Sequence, residues 1–200
     1  MKLLLIHGAG ASSVSWRTFE TLVGHPCDVF SYDVNRPFEH ILTECVKKID
    51  AVLARCLVGH SFGGIIAWHA ANIHDMIACG ISVAAPWGGS VYADVMEAAT
   101  LGWLPSRFFQ NVGRSSHHSV IPRTQPSRVP WMNVVTTRGI IGSVENDGVL
   151  TVPNQDSLYR GDNVLRVPVK HNHSEVLHTD ELAMTASSFV RQVAKGLRRV

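Results

Sequence analysis

The sequence predicts an α/β fold with a mainly parallel sheet of about six strands, flanked by helices. Three observations carry this. Short runs rich in Val, Ile and Leu recur at residues 3–6, 29–32, 56–58, 77–84, 132–136 and 164–169, as in strands buried on both faces. Segments with helical spacing of apolar residues lie between them, so strand and helix alternate. Hydrophobic residues make up 46% of the 200 positions and charged residues 17%, enough for a buried core. No repeat or long linker divides the chain, which is expected to form a single domain over 1–200.

The first run, Leu3-Leu4-Leu5-Ile6, is closed by His7-Gly8. That stops it short of the roughly 7 apolar residues a secretory signal needs, so it is expected to be a buried strand. The clearest helix follows the second strand. Phe38, Ile41, Leu42, Cys45, Val46, Ile49, Val52 and Leu53 share one side, and Pro37 suits the first turn. After the third strand, Gly64-Ile65-Ile66-Ala67-Trp68-His69-Ala70-Ala71 begins another helix. The alternation then breaks from Pro86 to Pro130, and residues 87–130 are expected to form a lid or cap-like insertion. A last helix over 181–197 carries Leu182, Ala186, Phe189, Val190, Val193 and Leu197 on one side, with Thr179 or Asp180 as its N-cap. It should close the domain against the sheet. In such a sheet, sites collect at the carboxyl ends of the strands.

Charge and composition exclude several classes of partner. The net charge is +2, without a long block of either sign, so nothing here asks for nucleic acid. The one basic cluster, Lys195, Arg198 and Arg199, falls in the last helical turn, where cations favour the helix dipole. No apolar stretch approaches the roughly 20 residues of a transmembrane helix. Cys27, Cys45, Cys56 and Cys79 lack CxxC spacing and fall in or beside apolar elements, as buried free thiols do. A reduced, cytoplasmic setting is the expectation. No ligand spacing of the His-Glu-x-x-His kind occurs, and neither a metal nor another cofactor is expected.

The chemistry points elsewhere. Gly59-His60-Ser61-Phe62-Gly63 matches the Gly-x-Ser-x-Gly elbow, whose small residues let a serine occupy a strained, exposed turn. The pattern alone is weak, but a strand precedes it and a helix follows it, the setting the motif requires. A helix N-terminus then favours negative charge developing at Ser61. His7-Gly8-Ala9-Gly10, after the first strand, forms a second glycine-rich turn.

Together, Leu3 to Gly10 followed by Trp16, and Gly59 to Gly64, resemble the α/β-hydrolase superfamily, and within it the small bacterial lipases and esterases. The resemblance covers most of the chain, beginning at what would be the third strand of the full fold. It implies an oxyanion hole made by the N–H groups of Ala9 and Phe62, with Ser61 as nucleophile. It also implies a triad acid and a histidine, in that order along the chain. Glu145-Asn146-Asp147-Gly148-Val149 resembles the family's acid segment and makes Asp147 the choice, with Glu145 and Asp156 nearby. The other reading of Asp147 is a residue that only caps the turn before Gly148. His173 best fits the family's histidine loop after the last strand, and His171 is its rival. His178 is expected to begin the approach to the last helix, His60 to be set by the elbow, and His117 and His118 to be surface residues.

Ala85-Pro86-Trp87-Gly88-Gly89-Ser90 resembles the Pro-x-x-Gly-Ser loop of lipases. Trp87, Trp103, Leu104 and Phe108 are candidate substrate-binding residues of an apolar cluster near the site. Two readings stand for this cluster: an acyl pocket or lid, and side chains that pack the excursion onto the body. The function implied is hydrolysis of small-molecule or lipid carboxylic esters through an acyl-enzyme. Amide or thioester cleavage, acyl transfer, and a catalytically silent binding module are the alternatives.

Overall fold

The structure, a computed structural model, describes residues 1–89, 120–122, 126–139, 144–158 and 162–197. Six strands form one sheet: β1 (Leu3–Ile6), β2 (Cys27–Phe30), β3 (Cys56–His60), β4 (Cys79–Val83), β5 (Trp131–Thr136) and β6 (Val164–Val169). Every pairing is parallel, in the order β2-β1-β3-β4-β5-β6. The chain starts inside the sheet, steps out to the edge at β2, and returns across β1 to wind toward β6.

Successive strand residues face opposite sides, and the core divides accordingly. Leu4, Ile6 and Leu57 face α2 (Phe38–Val52) and α3 (Phe62–Ile73), which bury Ile41, Ile49, Ile65 and Trp68 there. Leu3, Leu5 and Val58 face α1 (Arg17–Leu22) and the long terminal helix, which supply Phe19, Leu182 and Val190. A one-turn helix, α4 (Val152–Gln155), follows β5, and α5 (Asp180–Leu197) closes the sheet.

Several boundaries differ from those expected. The second strand spans Cys27–Phe30 instead of 29–32, because an edge strand is only half-buried and lacks a continuous apolar run. The fourth ends at Val83, where Ala84 turns to a φ of 50°. Leu53 lies beyond α2 as its left-handed C-cap, with φ 54°. Thr179 caps α5, its Oγ1 accepting a hydrogen bond from the Leu182 N–H, and Leu197 is exposed rather than packed.

A buried polar network joins β4, β5 and α4. Ser82 Oγ and Trp87 Nε1 donate to Asn133 Oδ1 at 2.9 and 3.0 Å, and Asn133 Nδ2 donates to the Gln155 carbonyl at 3.0 Å. Beside it, Gly80 leaves room for its register partner Trp131, whose ring a Cβ at position 80 would meet at 2.0 Å.

The insertion expected at 87–130 falls mostly outside the described residues, as do Trp103, Leu104, Phe108, His117, His118, Arg198 and Arg199. Trp87 is described, and its surroundings are those of the packing reading. It is 2% exposed and packs edge-on against Trp68 with ring centroids 5.5 Å apart, its indole N–H spent on Asn133. It is a core side chain. All four cysteines are free thiols, Cys27 half-buried and the others buried. Among the described residues, no helix is long and apolar enough to cross a membrane.

Candidate active site

Ser61 stands between the last residue of β3 and the first of α3, at φ 52° and ψ −124°. An L-residue holds that conformation only at a cost of about 1–3 kcal/mol, so the neighbouring structure must impose it. It does so through contact. The Ser61 N–H is tied to the Val83 carbonyl at 2.8 Å. A Cβ on Gly59 would lie 2.2 Å from the Gly63 carbonyl oxygen, and one on Gly63 would lie 2.3 Å from that of Ile6. The two motif glycines thus let α3 descend directly onto β1 and β3, which forces the sharp turn.

The turn after β1 lies alongside. Ile6 pairs with Gly59, and the two chains leave the sheet in step, so that Gly8 comes beside Ser61. A Cβ on Gly8 would stand 3.1 Å from Ser61 Cβ. His7 Nδ1 donates to the Gly8 carbonyl at 2.8 Å, and the Tyr32 hydroxyl donates to the His7 carbonyl at 2.9 Å with the two rings stacked. These bonds hold the segment that carries Ala9. Phe62, buried at the start of α3, occupies the matching place after Ser61.

Asp147 sits in the loop between β5 and α4, 1% exposed. Its Oδ1 accepts from the N–H groups of Val149 and Leu150 at 2.9 and 2.7 Å, shaping the turn through Gly148 at φ 93°. Its Oδ2 accepts from His173 Nδ1 at 2.8 Å, Thr136 Oγ1 at 2.6 Å and Gln155 Nε2 at 3.2 Å. The two readings of this residue therefore coexist: one oxygen makes the turn and the other meets the histidine. Burial opposes its ionisation, yet the bonds from His173, Leu150 and Thr136 outweigh that and hold its pKa below the usual carboxylate value.

His173 follows β6 and is 8% exposed. Its backbone N–H donates to the Asp147 carbonyl at 2.9 Å, so acid and histidine are joined twice. With Nδ1 donating to the carboxylate, Nε2 is the acceptor of the neutral ring. Asn172 Oδ1 receives the N–H groups of Ser174 and Glu175 and starts the helical turn at Glu175–His178. His171, the rival, bonds Glu181 at the start of α5, and His178 bonds Thr18. Asp156 is engaged by Arg166 Nε at 2.6 Å.

His60 brings the histidine loop to the elbow. Its Nε2 donates to the His173 carbonyl at 2.8 Å, and the two rings lie 4.8 Å apart. It was read from the sequence only as part of the motif. Thr136 and Gln155 carried no local signal at all. An open cleft of about 610 Å³ adjoins Asp147 and His173, with Arg138, Asn172 and Glu175 on its wall. Among the described residues, no group of three or more His, Cys, Asp or Glu side chains could hold a metal ion.

A family described as the alpha/beta hydrolase family matches residues 3–195. No curated protein matches the chain. Among solved structures, an esterase from Pyrococcus furiosus superposes with a TM-score of 0.71 at 15% identity, covering 96% of this chain and 82% of that one. A metagenomic carboxyl esterase gives 0.70 at 14% identity, covering 98% and 76%. RedJ, a thioesterase from the prodiginine biosynthetic pathway in Streptomyces coelicolor, gives 0.58 at 15% identity, covering 94% and 89%.

Proposed function

The chain belongs to the alpha/beta hydrolase family, and from that premise we propose that it is a serine hydrolase cleaving carboxylic esters of small molecules or lipids. The observation that carries this reading is the His173 Nδ1 to Asp147 Oδ2 bond of 2.8 Å, joined through His60 to an elbow with a strained Ser61.

In this reading the Ser61 hydroxyl attacks the ester carbonyl while His173 Nε2 takes its proton. Asp147 keeps the ring in the required tautomer and faces the imidazolium with a full negative charge. The N–H groups of Ala9 and Phe62 receive the oxyanion, each such donor being worth about 3–4 kcal/mol in the transition state. Collapse expels the alcohol, which takes the proton from His173, and leaves an acyl group on Ser61. Water, deprotonated by the same histidine, then releases the acid and restores the enzyme.

The esterases among the structural neighbours support an ester, and the thioesterase among them makes a thioester the second reading. Hydrolysis of p-nitrophenyl esters of rising chain length, beside matched acyl thioesters, tests both. Activity lost in Ser61→Ala, with fluorophosphonate labelling of Ser61 in the wild type, is the expected result. An unlabelled and inactive wild type would sink the mechanism and favour a binding module.

A further inference from the structure

His60 occupies the variable position of the elbow, one residue before Ser61, and its Nε2 edge reaches the histidine loop. It is buried, 5% exposed. Its Nε2–H is given to the main-chain carbonyl of His173, a residue 113 positions away in the sequence. Its ring leans on the His173 ring at 53°. His173 is also held by Asp147, through the ring and through the backbone. The ring of His173 is therefore fixed by two partners, of which one is the known kind and the other is His60.

Resting on the reading of Ser61 and His173 given above, we infer that His60 is a positioning residue. It sets the distance between the nucleophile's strand and the base's loop through one hydrogen bond and one ring contact. The role requires an imidazole that stays neutral while its neighbour takes a proton. Burial, followed by the nearby His173, brings the His60 pKa down to about 3, so no second cation forms when His173 is protonated. A neutral ring has one N–H, and here the His173 carbonyl takes it. Its Nδ1 is buried without a hydrogen-bond partner among the described residues, facing Gly8 and the Ser61 side of the turn. An unpaired buried acceptor is costly to keep. The polar ring is thus held for the donor on its other edge, since a hydrocarbon would fill the same space without that cost.

Two substitutions separate donor from ring. His60→Phe keeps a ring in place and removes the N–H, whereas His60→Gln delivers an N–H at nearly the same reach. His60→Phe is expected to lower kcat and the rate of Ser61 labelling by fluorophosphonate by about 10- to 100-fold, with KM within about twofold, since displacing a base by about 1 Å is enough for such losses. His60→Gln is expected to recover most of this, to within about fivefold of the wild type. A second readout needs no turnover: the far-downfield proton resonance of the His173 Nδ1–H against Asp147 should persist in the wild type and in His60→Gln. It should broaden or vanish in His60→Phe. Thermal unfolding confirms that each variant is folded. A folded His60→Phe with wild-type labelling and an unchanged resonance overturns the inference, as does a folded His60→Gln as impaired as His60→Phe. Failure of the wild type to be labelled would refute the nucleophile instead, and the resonance comparison would still decide the role of His60.

Discussion

Thr136 Oγ1 lies 2.6 Å from Asp147 Oδ2, so the last residue of β5 donates directly to the carboxylate that faces His173. Bonds to ionised acceptors are short and strong, and this one helps hold the Asp147 pKa down. Thr136→Val removes the donor at nearly constant volume. It is expected to raise the Asp147 pKa, to cost about 1.5–3 kcal/mol of stability and to lower kcat roughly tenfold with little change in KM. Urea unfolding and steady-state kinetics on one preparation check both effects.

His171 and His173 separate cleanly. The first is paired with Glu181 at the edge of α5, and the second with buried Asp147. His171→Ala removes an exposed pair worth about 0–1 kcal/mol and should leave kcat/KM within about twofold. His173→Ala should lower kcat by roughly 10⁴-fold or more. Equal losses in the two variants would refute the assignment of the base.

The backbone at Ser61 stores strain that a glycine would not feel. Ser61→Gly is expected to abolish ester hydrolysis and to raise the unfolding free energy by about 1 kcal/mol, the relief exceeding the extra chain entropy of glycine. Differential scanning calorimetry beside Ser61→Ala measures the gain, and a Ser61→Gly protein less stable than Ser61→Ala would contradict it.

Stability should fall on acidification in a window set by His60. Its pKa is about 3 in the folded protein against 6.5 in the unfolded chain. Between those values the unfolded chain binds a proton that the folded protein refuses. Stability is therefore full above about pH 6.5 and drops by about 1.4 kcal/mol per pH unit for this group as pH falls toward 3. His25 and His69, also held below their ordinary value, act in the same direction. Asp147 adds a loss at still lower pH, as the solution passes below 3.8 and through its depressed folded pKa. Urea midpoints from pH 4 to 8 should slope less in His60→Gln than in the wild type, and identical slopes would refute the assignment.

The sheet was legible because strands buried on both faces must be apolar at every position, which Leu3–Ile6 displays. β2 was misplaced because its inner neighbour covers only one edge, and Asp28 within it pairs with Lys2 and Lys48. Ser61 was legible because the close descent of α3 leaves room only for glycine at 59 and 63. Asp147 and His173 lay in loops where resemblance guided the choice, and the geometry brings those two together. For Trp87 two readings stayed open, because a large apolar residue beside a site looks alike in sequence whether it lines a pocket or fills a core; its ring is buried against Trp68. Thr136, Gln155 and the contact made by His60 depend on folding distant segments together, and no local pattern announces them.

The Ser82, Asn133 and Trp87 network has a consequence for how the sheet assembles. Strands made almost wholly of Val, Ile and Leu can slide by two residues and keep the same faces buried, so hydrophobicity alone tolerates misalignment of β4 on β5. A slip by two would set Ser82 opposite Trp131 or Val135. It would strand the Asn133 amide without its donors and drive the Trp131 ring away from the gap above Gly80. Each buried polar group left unmatched costs about 1–3 kcal/mol. These residues therefore act as a key that admits one alignment, and that alignment sets β5, and with it Thr136 and Asp147, at the height where His173 can be met.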